Sequence, residues 1–378
     1  MRSLLTLAYK LLVTDRAKFA ALIIGLTFSV FLMVQVTSMF AGILQRASAT
    51  VVNTGASIWV MDPAVTTVAN TIPLPDYVLD AVRSMDGVRW AVPLYSGAAL
   101  VRLSSGTYQA VTVLGLDDTS LFGRPRLVAG HIEDIYADDA YIVVRDTEYG
   151  KMESPTLGTT FEINDHRAVV VGVAEVPLSS LFGVPTLYTT YRRAIQDIPS
   201  TRFTLSYVLV EPKTPEAVPA IVAQVQALGY RALTARGFRS QITSFYTFRT
   251  GVGTNILIMT LVSFLVGLSV SGQTFYTFIV ENLERFGALK AIGAKSRELV
   301  LIILFEAVLT SLTGYGLGVG LAALLIALAK LRLPDYAATI TYLNLALAFV
   351  MVLVIAGVSG YVGVRKVIRV EPFDIFRG

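Results

Sequence analysis

The feature that most constrains this chain is a set of four long apolar runs. Residues 19–45, 251–280 and 336–364 contain no Asp, Glu, Lys or Arg, and residues 299–329 contain one charged residue, Glu306. A helix needs ~20 apolar residues to cross the hydrocarbon layer of a bilayer, so each run predicts a membrane-spanning helix. Only 15% of the residues are charged, against about 25% in soluble domains, which argues against an ordinary soluble enzyme.

The segment between the first two runs, residues 46–250, has the composition of a globular domain. Short strand-like stretches alternate there with two amphipathic helical patterns, which predicts mixed α/β structure. A strand–helix–strand order occurs at 57–92 and again at 204–234. These two pieces predict one α/β subdomain that is split in sequence by a β-rich insert.

The basic residues predict the orientation in the membrane. They concentrate before the first run, between the second and third and after the fourth, whereas the loop at 330–335 has only Lys330 and Arg332 as basic residues. Cytoplasmic loops are rich in Lys and Arg, so we expect both termini in the cytoplasm and the large domain on the other side of the membrane. The first run is longer than the apolar part of a signal peptide, which favours an anchor over a cleaved leader.

The apolar runs, the globular segment and the basic residues together predict the organisation of the chain. It consists of an amphipathic cytoplasmic helix at 1–18, the first span at 19–45, a periplasmic α/β domain with stalk helices at 46–250, the second span at 251–280, a cytoplasmic helix at 281–298, the third span at 299–329, a short periplasmic loop at 330–335, the fourth span at 336–364 and a cytoplasmic tail at 365–378.

Composition also argues against several kinds of site. The chain has no cysteine and two histidines, so thiolate metal sites and cysteine nucleophiles are excluded. His131 lies among acidic residues, but one histidine gives too few ligands for a zinc site, and we expect no bound metal. No G-x-x-x-x-G-K-[ST] motif occurs, so this chain is not expected to bind a nucleotide or to be an enzyme. The net charge of +4 is too small to indicate a nucleic-acid partner.

Four glycines stand two residues apart in the third run. They are Gly314, Gly316, Gly318 and Gly320. They form two overlapping G-x-x-x-G pairs, a pattern that lets membrane helices approach closely. We expect all four to serve helix packing.

Glu306 is the only acidic residue within a predicted span. Charges inside a membrane are costly and are often functional, so a proton or ion relay is one interpretation. The other is a structural or coupling residue near the cytoplasmic end of its helix, which reaches the interface or a partner. The spans contain no Lys, Arg or His that could complete a relay, and this favours the second interpretation.

The loop between the second and third spans predicts a short helix that ends in a glycine. Its apolar residues fall on one side, and they are Leu283, Phe286, Leu289 and Ile292. An apolar helix face of this kind is typical of a segment that docks into the groove of a partner protein.

The stretch ERFGALKAIGA at 284–294 resembles the cytoplasmic coupling segment of MacB/FtsX-type ABC transporter permeases. That family carries the pattern R-x-G-x-x-[KR]-A-x-G-A, which is matched here by Arg285, Gly287, Lys290, Ala291, Gly293 and Ala294. Residues 7–33 are similar to the stand-alone DevC-like branch, and the ending at 367–377 resembles the terminal P-x-x-x-[LF]-R of the family.

The resemblance implies a fold, partners and a mechanism. The fold is an α-helical membrane protein with four transmembrane helices and an α/β extracytoplasmic domain of the Porter/Sabre kind between the first two. The partners are a second permease copy, separate cytoplasmic ATPase subunits that hold ATP and Mg, a periplasmic membrane-fusion adaptor and a TolC-like outer-membrane channel. The mechanism is mechanotransmission of ATPase motion. The implied coupling residues are Leu283, Arg285, Phe286, Gly287, Leu289, Lys290, Ile292 and Gly293.

Three other functions remain open at this point. A LolC/LolE-like permease would extract lipoproteins, and the apolar loop at 176–185 could be its hook or could equally be a buried connection. An FtsX-like protein would regulate a cell-wall hydrolase, although its external domain is usually smaller. A secondary transporter is disfavoured because the chain shows no inverted repeats and no set of midplane charges.

Overall fold

The computed structural model describes residues 10, 16–198, 205–333 and 336–368. The chain divides into a helical unit, Met1–Gly42 with Val252–Gly378, and a globular unit, Ile43–Gly251. The amphipathic helix predicted at 1–18 lies almost entirely outside the described residues. The same is true of most of the predicted tail and of part of the loop at 330–335.

The helical unit is built from four helices that are long and apolar enough to cross a membrane. We call them the first to fourth span helices, and they comprise Arg16–Ala47, Gly251–Glu281, Ser296–Arg332 and Tyr342–Ile368. They confirm the four predicted transmembrane helices.

The fourth span helix begins later than its apolar run. The Thr339 amide donates to the carbonyl oxygen of Ser38 at 2.8 Å, and the Gln35 side-chain amide donates to the Tyr336 hydroxyl. These bonds hold the residues before Tyr342 against the first span helix. The Thr339 backbone donor is therefore used in a contact with the first span helix rather than within the fourth one.

One buried cluster takes residues from all four span helices, and we call it the membrane cluster. It includes Leu22 of the first helix, Phe275 of the second, Ile303 of the third and Ala356 of the fourth. A second cluster joins the first, third and fourth helices around Val30. Many outward leucines are exposed, as a surface that meets lipid requires.

Within its described residues, the globular unit contains one sheet of ten strands. The strands are β1 Ile58–Met61, β2 Val88–Arg102, β3 Tyr108–Leu116, β4 Arg126–Gly130, β5 Ala140–Val144, β6 Thr160–Ile163, β7 His166–Glu175, β8 Thr186–Thr190, β9 Tyr207–Pro212 and β10 Arg231–Thr234. The order is β10-β1-β9-β2-β3-β8-β5-β7-β4, and β6 pairs with β2 and β7.

The long strand β2 joins two halves of this sheet. The first half, β10-β1-β9 with the start of β2, carries the helices Tyr77–Arg83 and Val218–Ala227. Buried residues of both helices pack on this half in one cluster. The sequence pieces at 57–92 and 204–234 thus meet in one α/β half, and the β-rich insert between them forms the second half.

The structure differs from the predicted strands in two places. β2 is continuous from Val88 to Arg102, whereas the apolar pattern of the sequence predicts one strand at 88–92 and a separate one at 98–103. Its ladder with β9 runs through Pro93↔Val208. The strands β4 and β8 were not predicted, since β4 is an exposed edge strand that begins with Arg126 and β8 is rich in threonine.

The residues at both ends of the globular unit are helical, where the sequence predicts stalk helices. The first span helix continues to Ala47, and the short helix Ala49–Thr54 follows it. On the other side, helix Ala235–Ser244 leads into a wider helical turn at Phe245–Arg249. Thr250 is extended, with φ −107° and ψ 155°, so this helix ends before the second span helix begins.

Candidate functional site

The segment that resembles a coupling segment forms a separate short helix, Leu283–Ala291, which we call the linker helix. It begins one residue after the second span helix ends, and Asn282 makes the corner. The buried Asn282 side-chain amide donates to the Phe278 carbonyl at 2.8 Å. Its Oδ1 accepts from Arg285 Nη1 at 3.0 Å. Asn282 therefore ties the linker helix to the preceding span, a role that the sequence pattern did not reveal.

Gly293 ends the linker helix in a left-handed backbone conformation, with φ +105°. The Ala294 amide donates to the Leu289 carbonyl at 2.9 Å, and the Gly293 amide donates to the Lys290 carbonyl at 3.1 Å. These two bonds are those of a Schellman motif, which satisfies the last carbonyls of a helix. Gly293 is needed here because its φ disfavours any side chain.

The predicted apolar face of the linker helix points mainly into its own protein. Phe286 is 1% exposed and belongs to the membrane cluster, and Leu283 and Leu289 pack against that cluster. Gly287 is also buried. Among the four predicted apolar residues, Ile292 is the most open, at 85% exposure, while Leu283 and Leu289 are half-buried. The buried position of Phe286 does not fit docking of that residue into a partner, and docking through the rest of the face stays a prediction. The sequence period identified an apolar side but could not show what covers it.

The outer side of the linker helix carries both charge and one large apolar group. Glu284, Arg285 and Ala288 are exposed there, close to Ile292, and Lys290 is partly buried. This surface can accept a protein groove through one apolar contact surrounded by charged groups. The role of these residues in coupling stays a prediction.

Glu306 is fully buried on the third span helix, beside Ala307 of the membrane cluster. Among the described residues, neither oxygen of its carboxyl group has a hydrogen-bond partner. Within the described residues, its carboxyl group therefore reaches no partner side chain. A structural or coupling role for Glu306, which the sequence favoured over a proton or ion relay, stays a prediction.

The four glycines of the third span helix divide into two pairs with different surroundings. A Cβ at Gly314 would lie 2.6 Å from the Leu26 Cβ, and one at Gly318 would lie 2.6 Å from the Val30 Cβ. These two glycines pack against the first span helix. Gly316 and Gly320 have nothing within 4 Å of the same position, so the expected packing role is wrong for them within the described helices.

Two family descriptions match this chain. Residues 19–228 match the MacB-like periplasmic core domain, which is more than half of the sequence. Residues 257–372 match the FtsX-like permease C-terminal domain. The chain belongs to the MacB/FtsX family of ABC transporter permeases. The globular unit is accordingly the extracytoplasmic domain of this permease, and an ATPase partner follows from the family.

Three relatives agree with the family assignment. An uncharacterized ABC transporter permease of Mycobacterium tuberculosis is 26% identical over 94% of this chain and 93% of its own length. The macrolide export ATP-binding/permease protein MacB of Hahella chejuensis is 25% identical, but the match covers 67% of this chain and 39% of that protein. A putative hemin transport system permease of Staphylococcus haemolyticus is 24% identical, over 40% of this chain and 42% of that protein.

Solved structures of two external domains are similar to part of the permease. The extracellular domain of the transporter YknZ aligns with a TM-score of 0.36 and 14% identity, covering 47% of this chain and 98% of that one. The periplasmic region of MacB from Actinobacillus actinomycetemcomitans aligns with a TM-score of 0.38 and 11% identity, covering 50% and 92%.

Proposed function

We propose that this chain is the permease subunit of an ABC exporter in the inner membrane, with its termini in the cytoplasm. Two copies bind separate ATPase subunits and transmit their motion across the membrane by mechanotransmission. The motion drives efflux through a periplasmic adaptor and a TolC-like channel.

The observation that carries this proposal is the two-sided linker helix. Its inner residue Phe286 lies in a cluster with residues from all four span helices, while its outer residue Ile292 is exposed. Protein interiors are close-packed and transmit displacement rather than absorb it. A partner that moves the outer side would therefore displace the span helices through Phe286.

The composition of the spans supports motion rather than passage of a polar substrate. Glu306 is the only charged residue in the four apolar runs, and it is buried without a hydrogen-bond partner among the described residues. A relative named for macrolide export and another named for hemin transport support the transporter class. Neither ligand is assigned to this chain.

The test of docking is Ile292→Glu, a change at an exposed position that disturbs no packing. We expect loss of ATPase co-purification and of export, with normal insertion and abundance. Leu331→Glu is the matched control, since Leu331 is 78% exposed and lies near the other end of the third span helix. Binding of the ATPase and normal export by the Ile292→Glu protein would contradict the proposal.

The test of the export pathway is a purification of the tagged chain from its native membrane. We expect an ATPase and a membrane-fusion adaptor. An ATPase with a cell-wall hydrolase or with lipoproteins, and without an adaptor, would replace the export proposal by regulation or extraction.

A further inference from the structure

A cleft of about 750 Å³ opens on the globular unit, and no part of the proposed transport mechanism uses it. We call it the Trp90 cleft. It is lined by Asn53, Thr54, Trp90, Val92, Ser120, Phe122, Gly123, Arg124, Pro125 and Arg126. Its volume falls within the range of ~300–1,000 Å³ that is typical of small-molecule sites.

The floor of the Trp90 cleft is aromatic. The rings of Trp90 and Phe122 pack against each other with centroids 4.5 Å apart and planes tilted by 59°. Both side chains are only partly buried against the core of the globular unit, so each keeps an open surface. Val92 adds a nearly buried aliphatic surface beside them. A ligand that fills this floor must present an apolar group.

The loop that forms the rim is held in place by several contacts. Leu121 is 5% exposed and anchors the loop in the core. The Asp117 carboxylate accepts from the Ser120 amide at 2.8 Å. Gly123 has φ +82°, and a Cβ there would lie 2.8 Å from the Thr54 Cγ2. The cleft is therefore largely formed before a ligand arrives, which lowers the entropy cost of binding.

Asn53, another residue that lines the cleft, is also held in place. The Asn53 side chain exchanges two hydrogen bonds with the backbone of Leu178, donating to its carbonyl at 2.7 Å and accepting from its amide at 3.1 Å. Asn53 thus has a fixed position beside the cleft.

The polar groups of the cleft are strongly biased towards positive charge. Arg124 and Arg126 are both exposed, and none of the lining residues is acidic. The Arg124 side chain donates to the Ser120 carbonyl, at 3.4 Å, and has no other described partner. Within the described residues, the Arg126 side chain forms no hydrogen bond or ion pair. Both guanidinium groups retain donors for an anion, which they bind with a planar pair of N–H groups.

Two carboxylates on adjacent strands are paired with cleft residues and could neutralise the arginines. Glu175 is opposite Arg126 in the β4–β7 pairing, and Glu211 is opposite Trp90 in the β2–β9 pairing. Glu175 binds Arg145 at 2.6 Å, and Glu211 accepts from Ser57 at 2.6 Å. Neither carboxylate lines the cleft, so the net charge of the cleft lining stays positive.

We propose that the Trp90 cleft binds a small amphiphilic anion, with its apolar part on Trp90 and Phe122 and its carboxylate or phosphate on Arg124 and Arg126. The aromatic floor supplies burial of apolar area, and the two arginines select against uncharged molecules of the same shape. The proposal concerns binding alone and holds whether the permease drives export, extraction or regulation.

The chain carries its own reporter for this test. It has two tryptophans, of which Trp59 is completely buried and Trp90 is partly exposed in the cleft. A contact quencher therefore reaches Trp90 alone. The experiment titrates the full protein in lipid nanodiscs with ω-bromodecanoate and, separately, with the uncharged ω-bromodecanol, and follows tryptophan fluorescence.

We expect saturable quenching by the anion at a concentration at least about tenfold lower than by the alcohol. The Trp90→Phe protein should lose the saturable component. Equal quenching by both probes, or no saturation by the anion, would overturn the proposal. So would unchanged quenching in Trp90→Phe, because the signal would then arise elsewhere.

The charge requirement is tested at Arg126, whose removal breaks no bond in the protein. Arg126→Gln should weaken anion binding about tenfold or more and leave binding of the alcohol unchanged. Arg89→Gln is the charge-matched control, since Arg89 is exposed, precedes Trp90 and does not line the cleft. Equal effects of the two arginine changes would mean general attraction of anions to the surface, and would contradict the proposed site.

Discussion

At the scale of single residues, glycines decide which side of a membrane helix meets its neighbour. The sequence presents Gly314, Gly316, Gly318 and Gly320 as equivalent members of two pairs. The structure uses only Gly314 and Gly318 for close contact with the first span helix. The difference arises because residues two apart on a helix point about 200° away from each other.

A comparison of Gly318→Leu with Gly320→Leu tests this assignment. A Cβ at Gly318 would also lie 2.7 Å from the Thr27 carbonyl oxygen, which is backbone and cannot rotate away. We expect Gly318→Leu to lower the stability by about 1–3 kcal/mol, the usual cost of overpacking. Thermal unfolding in one detergent measures both variants. Equal stability of the two would show that the helices are not packed as described.

Asn53 is a second residue with a specific local effect. Its two bonds fix the segment at 176–185 at Leu178, and the Lys151 Nζ donates to the Gly183 carbonyl of the same segment at 2.9 Å. The segment is therefore held at two points, Leu178 and Gly183, and its role as a hook for lipoproteins stays a prediction.

We expect Asn53→Ala to cost about 1–3 kcal/mol, at about 0.5–1.5 kcal/mol for each lost bond. It should also make the segment at 176–185 more sensitive to limited proteolysis. Asn70→Ala is the control because Asn70 is exposed. Cleavage of this segment at the wild-type rate in Asn53→Ala would show that the two Asn53 hydrogen bonds do not hold it in place.

At the scale of elements, the linker helix has two sides with different proposed roles. The outer side binds the ATPase, and the inner side passes its motion to the span helices. Its outer residue can be changed without loss of packing, whereas its inner residue Phe286 is part of the membrane cluster. The two sides should therefore fail in different ways when altered.

We expect Phe286→Ala to retain ATPase binding and lose coupling, so that ATP hydrolysis continues without export. Truncation of a buried phenylalanine also costs about 3–5 kcal/mol, and protein levels must be measured in parallel. Phe248→Ala is the control, since Phe248 is 80% exposed. Loss of ATPase binding in Phe286→Ala, with the protein present at normal levels, would show that the inner side also serves attachment.

The same elements show how far sequence reasoning extends. The four span helices were predictable because each needs only a long apolar run. The edge strand β4 was not, because its exposed residues show no alternation of buried and open positions. The corner at Asn282 and the inward position of Phe286 depend on contacts between helices, and no local pattern contains them. The Trp90 cleft joins residues 53, 90 and 122, which only the folded sheet brings together.

At the scale of the whole molecule, the globular unit is rich in buried phenols. Burial raises the pKa of Tyr95, Tyr188 and Tyr207. Burial and a hydrogen bond to the Asp197 carboxylate raise the pKa of Tyr141. The folded state favours the neutral phenols, so their contribution to stability is complete below the ordinary tyrosine pKa of ~10. It is lost as the pH rises through the raised values of the folded state.

We therefore expect alkaline unfolding in which these phenols ionise together with loss of the sheet. Phenolate absorbance and circular dichroism, recorded on the full protein in nanodiscs, should change in one step. Tyr188→Phe should move this step to higher pH, whereas the exposed Tyr108→Phe should leave it in place. Phenolate formation by the buried set while the sheet stays intact would contradict this expectation.

The continuity of β2 has a mechanical consequence for the extracytoplasmic domain. One strand of fifteen residues belongs to both halves of the sheet. No flexible peptide separates them, so a force on one half must load the covalent backbone of β2 and shear its hydrogen-bond ladders. Under such a force, the two halves of the domain should move as one rigid body. The amides of β2 should exchange with solvent only when both halves open together.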